Sequence, residues 1–560
     1  MSPPDRPTLL EIARRSIGDA LADAQRAGEL PDFAGGHVPV AIEVRRPDNP
    51  EHGDLASNVA LKLAGPLRRP PRDIAAAVAA RLVAVGGPAI DTAEVAGPGF
   101  VNLRLSAGYL EEAVDRIRAA GLEYGRSRSA APRHLNVEFV SANPTGPLTI
   151  GNARGAFVGD LLCRVLEAVG HRTTREYYFN DFGTQVENLG KSVLAVSREE
   201  PVPEDGYRGA YVSDLAADLP AELADRVQQT PAEGPRLVGE WASERVRAGI
   251  EASLERLGVH FDVWKSEGSL HTEGWVERGV EQVRQSGHAY EHEGALWFRS
   301  TTFGDDKDRV VIRSNGQPTY FAADIGYLAE KFSRGFDELV YVWGADHHGT
   351  VVRLRGAAEA LGFDREQVQV LLIAWVRFVR EGREISMSKR SGEFITLDEL
   401  LEEVGVDAAR WFFASRSPST GIDFDIELAR KQSSENPVYY VQYAHARISS
   451  ILRRAAEEGL SPAPSLAGAL TGDEVARGLA RDLLDLPDVV RAAAEARETQ
   501  AITTYATALA TRFHAFYRDR RVVDPADPDA SAARLALVDA TRLTLAAALG
   551  LLGISAPDSM

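Results

Sequence analysis

Hydrophobic residues recur at two different periods along this chain, and the changes of period divide it into regions. In residues 1–115, apolar positions three and four apart predict helices at 8–26 and 71–85. Short apolar runs next to Gly or Pro predict strands at 38–44 and 100–105. This mixture predicts a small α/β domain at 1–115.

Strands and helices alternate through the middle of the chain. The predicted strands are four short apolar runs, at 135–140, 310–312, 339–343 and 368–376. Helical stretches separate them, and this alternation predicts a parallel, doubly wound sheet over residues 116–430. A charged, helix-prone segment at about 191–291 would suit an insertion between the two halves of the sheet.

The C-terminal part has a helical period nearly throughout. The predicted helices cover 437–455, 473–499, 503–517 and 531–552. Because these segments are rich in Ala, Leu and Arg and no strand pattern interrupts them, residues 431–560 are predicted to form an all-α bundle.

Composition narrows the class of protein. The chain has 560 residues, of which 44% are hydrophobic and 26% charged, and such ordinary usage argues against a disordered or fibrous protein. The single cysteine, Cys163, excludes an intrachain disulfide. No apolar run approaches the ~18 residues that span a bilayer, and the N-terminus has no signal-peptide core. We therefore expect a cytoplasmic protein without membrane contact.

The net charge of −18 is unevenly distributed. Residues 1–430 carry −16, whereas residues 431–560 carry only −2. In the C-terminal part, aromatic residues are interleaved with four arginines, Arg512, Arg518, Arg520 and Arg521. Cations among aromatics can neutralise phosphates and stack on bases. The alternative, which the pattern alone favours, is an amphipathic helix with buried aromatics and solvated arginines.

A strand, a loop and a helix follow one another at residues 137–170. The loop SANPTGPLTIGN contains Gly146 and Gly151, which permit close approach of the backbone to a ligand. Thr149 and Asn152 stand where the helix begins, and a helix N-terminus suits phosphate. The segment indicates a nucleotide site, with an ordinary Gly/Pro connection as the alternative.

A second phosphate-type loop, SMSKRSG, follows ~235 residues later at 386–392. Adjacent cations among small hydroxyl residues and glycine suit polyphosphate, and a solvated basic turn is the alternative. Its candidate contacts are Met387, Ser388 and Lys389. The run Asp346-His347-His348 does not predict a metal, because a metal needs three or four convergent ligands and the sequence shows no obvious partners.

With both loops in view, the chain resembles a class I aminoacyl-tRNA synthetase, and specifically an arginyl-tRNA synthetase, over essentially its whole length. The first loop occupies the place of the family's HIGH motif, and SMSKR that of its KMSKS motif. Longer matching segments, in order, are NPEHGDLASNVA, AGPGFVNLRL, EFVSANPTGPL, REYYFNDFGTQ, FGDDKDRVVIRSNGQPTYFAADIGY, GADHHG and ENPVYYVQYAHAR.

The resemblance implies an arginine–tRNA ligase. ATP, as its Mg²⁺ complex, would activate L-arginine to arginyl-adenylate, and the arginyl group would pass to the 3′-terminal adenosine of tRNA(Arg), with no tightly bound cofactor. It also implies a monomer with a Rossmann-like catalytic domain, an N-terminal domain that contacts the tRNA elbow and a helical domain that reads the anticodon. This last role strengthens the nucleic-acid interpretation of the C-terminal arginines.

Residue roles follow from the same resemblance. Tyr320 and Asp324 match arginine-binding positions, and a guanidinium prefers carboxylates with aromatic or hydroxyl acceptors. Glu138 and Asn143 flank the end of a strand, where a ligand sits in an open α/β sheet, although a structural ion pair is an alternative for Glu138. Asn143 and His348 would hold the α-amino or carboxylate end of arginine. The implied ATP contacts are Thr149, Gly151, Asn152, Met387, Ser388 and Lys389, of which Thr149, Asn152 and Lys389 are also the catalytic candidates.

The first motif departs from the family pattern. Where the family has H-x-G-H, this chain has Thr-Ile-Gly-Asn at 149–152, so both imidazoles are absent, although Thr149 and Asn152 remain hydrogen-bond donors. Losing one preorganised donor can cost ~2.7–4 kcal/mol. Two alternatives to a working ligase therefore stay open. One is a paralogue with specialised or reduced activity, in natural-product assembly or resistance, and the other is a non-catalytic tRNA-binding protein.

Overall fold

The N-terminal region folds as an antiparallel sheet with helices. The computed structural model describes residues 7–33, 36–47, 49–85, 87–384 and 396–560. The first elements are α1 (Leu9–Arg26), β1 (Val44–Arg45), β2 (Leu55–Ser57), α2 (Val59–Leu67), α3 (Pro71–Val85), β3 (Ile90–Ala96), β4 (Phe100–Leu105) and α4 (Ala107–Ala120). The strand order is β1-β2-β4-β3. Of the strand predicted at 38–44, only the last residue is a strand residue, because the paired partner β2 is three residues long.

The middle of the chain is built on a parallel sheet. Its elements up to the edge strand of that sheet are β5 (His134–Phe139), α5 (Ile150–Ala168), β6 (Arg172–Phe179), α6 (Thr184–Ser197), α7 (Ala210–Ala217), α8 (Ala221–Gln229), α9 (Gly234–Arg256) and β7 (Val263–Ser266). The elements that follow are α10 (Glu267–Thr272), α11 (Trp275–Gln285), β8 (Ala289–His292), β9 (Ala295–Phe298), β10 (Arg309–Ile312), α12 (Tyr320–Ser333), β11 (Glu338–Gly344), α13 (His348–Ala360), β12 (Val368–Ile373), β13 (Val376–Arg380), β14 (Arg383–Glu384), α14 (Leu397–Val404), α15 (Val406–Ala414), β15 (Ile422–Asp425) and α16 (Ile426–Arg430).

The parallel sheet has the order β12-β11-β5-β6-β7, with β5 at its centre. Leu135, Val137 and Phe139 of β5 are buried, and α5 is buried along most of its length. A doubly wound sheet covered on both faces requires such apolar central strands. The fold class predicted from the alternation of strands and helices is confirmed.

Three strands differ from the prediction. The single strand predicted at 368–376 ends at Ile373 in β12, and Val376 begins β13, which belongs to another sheet. The run at 310–312 lies in β10, which belongs to a separate antiparallel sheet with the order β10-β9-β8. A short apolar run does not reveal the direction of its neighbours, so periodicity could not assign it. In addition, β7 lies within 191–291, the segment predicted to be an insertion, so that segment also supplies an edge strand to the parallel sheet.

The C-terminal region of the described chain is helical. It comprises α17 (Pro437–Glu457), α18 (Glu474–Leu483), α19 (Leu486–Ala496), α20 (Gln500–Asp519) and α21 (Pro528–Leu551). The single helix predicted at 473–499 is two helices, because Pro487 stands in the first turn of α19 and cannot continue a preceding helix. None of the helices in the described ranges has the length and apolarity to cross a membrane.

Ion pairs join the two ends of the chain. Arg46 of the N-terminal domain pairs with Asp485 of the helical domain at 2.6 Å. In the opposite sense, Arg481 of the helical domain pairs with Asp54 at 2.8 Å. These partly buried pairs join the N-terminal domain to the helical one.

Candidate active site

A cavity of about 440 Å³ opens at the carboxyl edge of the parallel sheet. It lies between β5 and β11, where the connection from β5 to β6 and the connection from β11 to β12 run in opposite directions, which is the usual ligand site of an open α/β sheet. Its polar and aromatic lining consists of Glu138, Ser141, Asn152, Tyr178, Asp324, Tyr327, Tyr341, Trp343, His347, Thr350 and Arg353.

Glu138 is held in a buried ion pair. Its Oε2 lies 2.6 Å from Nζ of Lys331, which is fully buried, and its Oε1 accepts a hydrogen bond of 3.1 Å from the Ser141 hydroxyl. The ammonium group of Lys331 also lies 4.3 and 4.1 Å from the ring centroids of Tyr327 and Tyr341. This is the structural ion pair foreseen as the alternative for Glu138, and the same residue nevertheless lines the cavity.

The tyrosines of the cavity wall are fixed by carboxylates behind them. Tyr178 donates its hydroxyl to Glu267 at 2.9 Å and stacks on Tyr327 with 4.8 Å between ring centroids. Tyr327 donates to Glu176, which also pairs with Arg334 at 2.7 Å. Because these hydroxyls are satisfied outside the cavity, the rings present a rigid aromatic wall to a ligand.

Asp324 is the carboxylate that this site leaves unpaired. It lies on α12, is half-buried, and forms no hydrogen bond or ion pair with any residue that the structure describes. Burial raises the pKa of its carboxyl group to about 7, although the charge of Arg353 opposes that rise. A carboxylate without a partner beside aromatic faces suits a delocalised cation such as a guanidinium.

The start of α5 forms the other side of the site. Thr149 is the N-cap of this helix. Both its backbone N–H and its hydroxyl donate to Oδ1 of Asn152, each at 3.1 Å. With Oδ1 occupied in this way, the amide NH₂ of Asn152 is the group left to donate to a ligand in the cavity.

This helix start is hydrogen-bonded to the start of α14. Leu397 donates its backbone N–H to the carbonyl of Leu148 at 3.0 Å, and Thr149 forms a β-bridge with Thr396. Met387, Ser388 and Lys389 of the predicted second phosphate loop lie outside the described residues.

The structure brings together four of the eight described arginine and ATP candidates. Glu138, Gly151, Asn152 and Asp324 line one cavity, and Thr149 supports Asn152. The other three are exposed and do not line it. Asn143 instead donates to Gln185 at 2.7 Å, Tyr320 begins α12 with 71% of its surface exposed, and His348 follows the lining residue His347.

Most of the cavity wall consists of residues that the sequence pattern does not single out. Tyr327 and Lys331 continue the face of Tyr320 and Asp324 at helical spacing, and that periodicity was the signal available for them. Tyr178, Tyr341 and Arg353 come from three different elements, so no local pattern connects them.

The C-terminal arginines have carboxylate partners. The pairs are Arg512 with Asp482, Arg518 with Asp519, Arg520 with Asp473 and Arg521 with Asp524. Phe513 and Phe516 between them are fully buried, as in the amphipathic helix that the pattern favoured.

A different basic and aromatic surface lies close by on α17 and α20. Tyr443 is 39% exposed and stacks on Tyr439, with the rings 7° from parallel. The guanidinium of Arg447 lies 5.4 Å from the Tyr443 ring centroid and 5.0 Å from that of Tyr517. No carboxylate among the described residues pairs with Arg447, so its charge is available to a ligand.

Comparison with known proteins gives the class and then the family. Residues 114–213 and 240–419 match the catalytic domain of class I tRNA synthetases (R), in agreement with the parallel sheet and the cavity at its carboxyl edge. Residues 11–105 match the arginyl tRNA synthetase N-terminal domain, and residues 441–560 match the DALR anticodon binding domain.

Full-length relatives identify the family. The chain is 43% identical over 560 residues to an arginine–tRNA ligase of Bacillus licheniformis, covering 99% of each chain. It is 47% identical over 566 residues to that of Desulforudis audaxviator, covering 99% of this chain and 100% of that one. The structure of Thermus thermophilus arginyl-tRNA synthetase aligns with a TM-score of 0.74 at 26% identity, covering 98% of this chain and 100% of that one. The chain belongs to the arginyl-tRNA synthetase family.

Proposed function

We propose that this protein is an arginine–tRNA ligase for protein synthesis, which forms arginyl-adenylate from L-arginine and ATP and then charges tRNA(Arg). The observation that carries the proposal is the cavity itself, where an unpaired carboxylate faces a wall of fixed tyrosines. A non-catalytic tRNA-binding protein has no use for such a cavity. A specialised paralogue is less well supported, because the chain matches arginine–tRNA ligases over their full length.

Arginine would bind with its guanidinium against Asp324. The neighbouring Arg353 favours the ionised carboxylate, and Tyr178, Tyr327 and Tyr341 supply aromatic faces. Glu138 adds negative charge to the same wall, although Lys331 neutralises it in part. The exposed Asn143, Tyr320 and His348 would contact the substrate from the outside of the cavity, with Asn143 and His348 at its α-amino or carboxylate end.

ATP, as its Mg²⁺ complex, would bind at the start of α5 with its phosphates near Gly151 and the amide of Asn152. Thr149 would act by orienting that amide. Met387, Ser388 and Lys389 would approach from the second loop, where Lys389 neutralises charge that develops on the phosphates. Since arginine's own carboxylate attacks the α-phosphate, releasing pyrophosphate, the protein supplies position and electrostatic stabilisation rather than a nucleophile.

The anticodon arm of tRNA would contact the helical domain. We place that contact at the surface formed by Tyr443, Arg447 and Tyr517, because stacked rings and an unpaired cation suit bases and phosphates. Arg512, Arg518, Arg520 and Arg521 would join it by exchanging their carboxylates for phosphates. We further propose domains at 1–115, 116–430 and 431–560, the first contacting the tRNA elbow, and a cytoplasmic monomer.

Arginine-dependent ATP–pyrophosphate exchange and tRNA charging test this function directly. Purified protein should incorporate arginine into tRNA(Arg) in an ATP-dependent reaction, and lysine should not replace arginine. Charging at a normal rate would show that Asn152, supported by Thr149, suffices in place of the two imidazoles. Binding of tRNA(Arg) without exchange or charging would contradict the proposal and favour the non-catalytic alternative.

A further inference from the structure

The turn between α19 and α20 contacts the catalytic domain through two consecutive side chains, Arg497 and Glu498. The guanidinium of Arg497 pairs with the carboxylate of Glu338, and Oε1 of Glu498 accepts a hydrogen bond of 2.8 Å from the Ser417 hydroxyl. We call these two residues the 497–498 corner. It joins the helical domain to two separate parts of the catalytic domain.

Glu338 connects the corner to the arginine cavity. It is the first residue of β11, its side chain is 3% exposed, and its other carboxylate oxygen binds Arg133 at 2.7 Å. Farther along the same strand, Tyr341 and Trp343 line the cavity. Because β11 is hydrogen-bonded to a neighbour on each side, its position at one end constrains its position at the other.

Ser417 connects the corner to α5. Its carbonyl oxygen accepts a hydrogen bond of 2.9 Å from the Arg154 guanidinium, which also donates to the carbonyls of Thr420 at 2.7 Å and Ala374 at 2.8 Å. Arg154 is 1% exposed and stands two residues after Asn152. The corner therefore contacts β11 directly and is linked to α5 through Ser417.

Arg497 carries its side chain in a backbone conformation that favours glycine. Arg497 ends α19 in the left-handed region, with φ 57° and ψ 37°. Glycine is the usual residue in this conformation because a Cβ strains it. Arg68 ends α2 in the same region, with φ 49°, but its exposed side chain makes no ion pair with the rest of the described chain.

We propose that Arg497 is a positioning residue for tRNA charging. Through Glu338 it holds β11, and with it the wall of the arginine cavity, in position relative to a tRNA bound by the helical domain. The proposal rests on the proposed function, since it requires tRNA(Arg) as substrate. Its distinguishing consequence is that Arg497 should matter for a tRNA whose anticodon loop engages the helical domain, and much less for one whose anticodon loop does not.

Arg497→Gly tests this consequence. The substitution removes the guanidinium and relieves the left-handed strain, while Arg133 still pairs with Glu338, so we expect the variant to fold. Charging would be measured with tRNA(Arg) and with the same tRNA carrying a replaced anticodon loop. For tRNA(Arg), kcat should fall about 5- to 10-fold without change in its Kd. For the altered tRNA, the kcat of Arg497→Gly should equal that of the wild type. With tRNA(Arg), Arg497→Lys should restore part of the rate that Arg497→Gly loses.

Arg68→Gly is the matched control, because it makes the same replacement in the same backbone conformation without removing an ion pair. Its kcat with both tRNAs should equal that of the wild type. Equal losses by Arg497→Gly on both tRNAs, or an unchanged kcat on tRNA(Arg), would overturn the proposal. Failure of the wild type to charge tRNA(Arg) would instead contradict the proposed function, so the two failures are distinguishable.

Discussion

Asp324→Asn should stabilise the empty protein while it weakens arginine binding. Asparagine has nearly the size of aspartate and keeps an acceptor oxygen, but it carries no charge. Asp324 has no partner in the described structure, and burial raises the pKa of its carboxyl group from its ordinary value of 3.8 to about 7. Ionising this group therefore costs free energy until a cationic ligand offsets it.

The size of the effect follows from the shift. A rise of about 3 units in the pKa of Asp324 corresponds to ~4 kcal/mol, at ~1.36 kcal/mol per unit. Between pH 3.8 and about 7 the folded state holds a proton that the unfolded state has released, so the free energy of unfolding falls as pH rises through this window. The asparagine variant has no carboxyl group to ionise at this position, so its free energy of unfolding does not fall in this way. Its thermal stability should exceed that of the wild type most at pH 8 and less at pH 5.5.

Arginine affinity should change in the opposite direction. Removing one charge of a buried pair costs ~2–5 kcal/mol, which is a rise of at least roughly 30-fold in KM for arginine. The KM for ATP should stay within about twofold, because no phosphate contact is lost. In the wild type, protonation of Asp324 below pH 7 should raise KM for arginine nearly tenfold between pH 8 and pH 6. The variant should lack this dependence.

Two measurements check this reasoning. Thermal unfolding without ligands at pH 5.5 and pH 8 gives the stability difference, and ATP–pyrophosphate exchange from pH 6 to pH 8 gives both KM values. Asp91→Asn, on the exposed side of β3, is the control for loss of a surface carboxylate and should change neither. A less stable Asp324→Asn protein at pH 8, or a normal KM for arginine, would refute the argument.

Two further substitutions test the start of α5 and the helical surface. Thr149→Val deletes the hydroxyl that donates to Asn152, and one neutral hydrogen bond contributes ~0.5–1.5 kcal/mol. The kcat of pyrophosphate exchange should therefore fall about 2- to 10-fold, with KM for arginine unchanged. Thr149→Ser is the control, and a normal kcat for Thr149→Val would contradict the orienting role. Arg447→Ala should raise KM for tRNA(Arg) about 5-fold or more, because a desolvated cation–π and phosphate contact contributes ~1–2 kcal/mol. Pyrophosphate exchange measured with saturating tRNA should stay normal. An unchanged KM for tRNA(Arg) would exclude this surface as the tRNA contact.

Local features were predictable because neighbouring residues produce them. The helix at 71–85 has the bounds that its apolar spacing predicts. The start of α5 is similar, since Thr149 and Asn152 form the N-cap arrangement from residues three apart. The assignment to the arginyl-tRNA synthetase family, made from ordered motifs, is confirmed by relatives that match over the full length.

The sheet to which a strand belongs and the ion-pair partner of a charged residue were not predictable in this way. The run at 310–312 is apolar like the strands of the parallel sheet, yet it pairs in a separate antiparallel sheet. The four C-terminal arginines look available in sequence, and each pairs with a carboxylate in the structure. Periodicity reports which side of an element is buried, but not which element buries it.

The sequence by itself determined the family and the domain types, and it predicts two loops suited to phosphate. Only the tertiary structure decided that Tyr178, Tyr327 and Tyr341 form one wall, that Lys331 pairs with Glu138 behind it, and that Asp324, unlike Glu138, has no partner among the described residues. These properties depend on distances between residues far apart in the chain, and on the exclusion of water that raises the pKa of Asp324. Both arise when the sheet and its helices pack together.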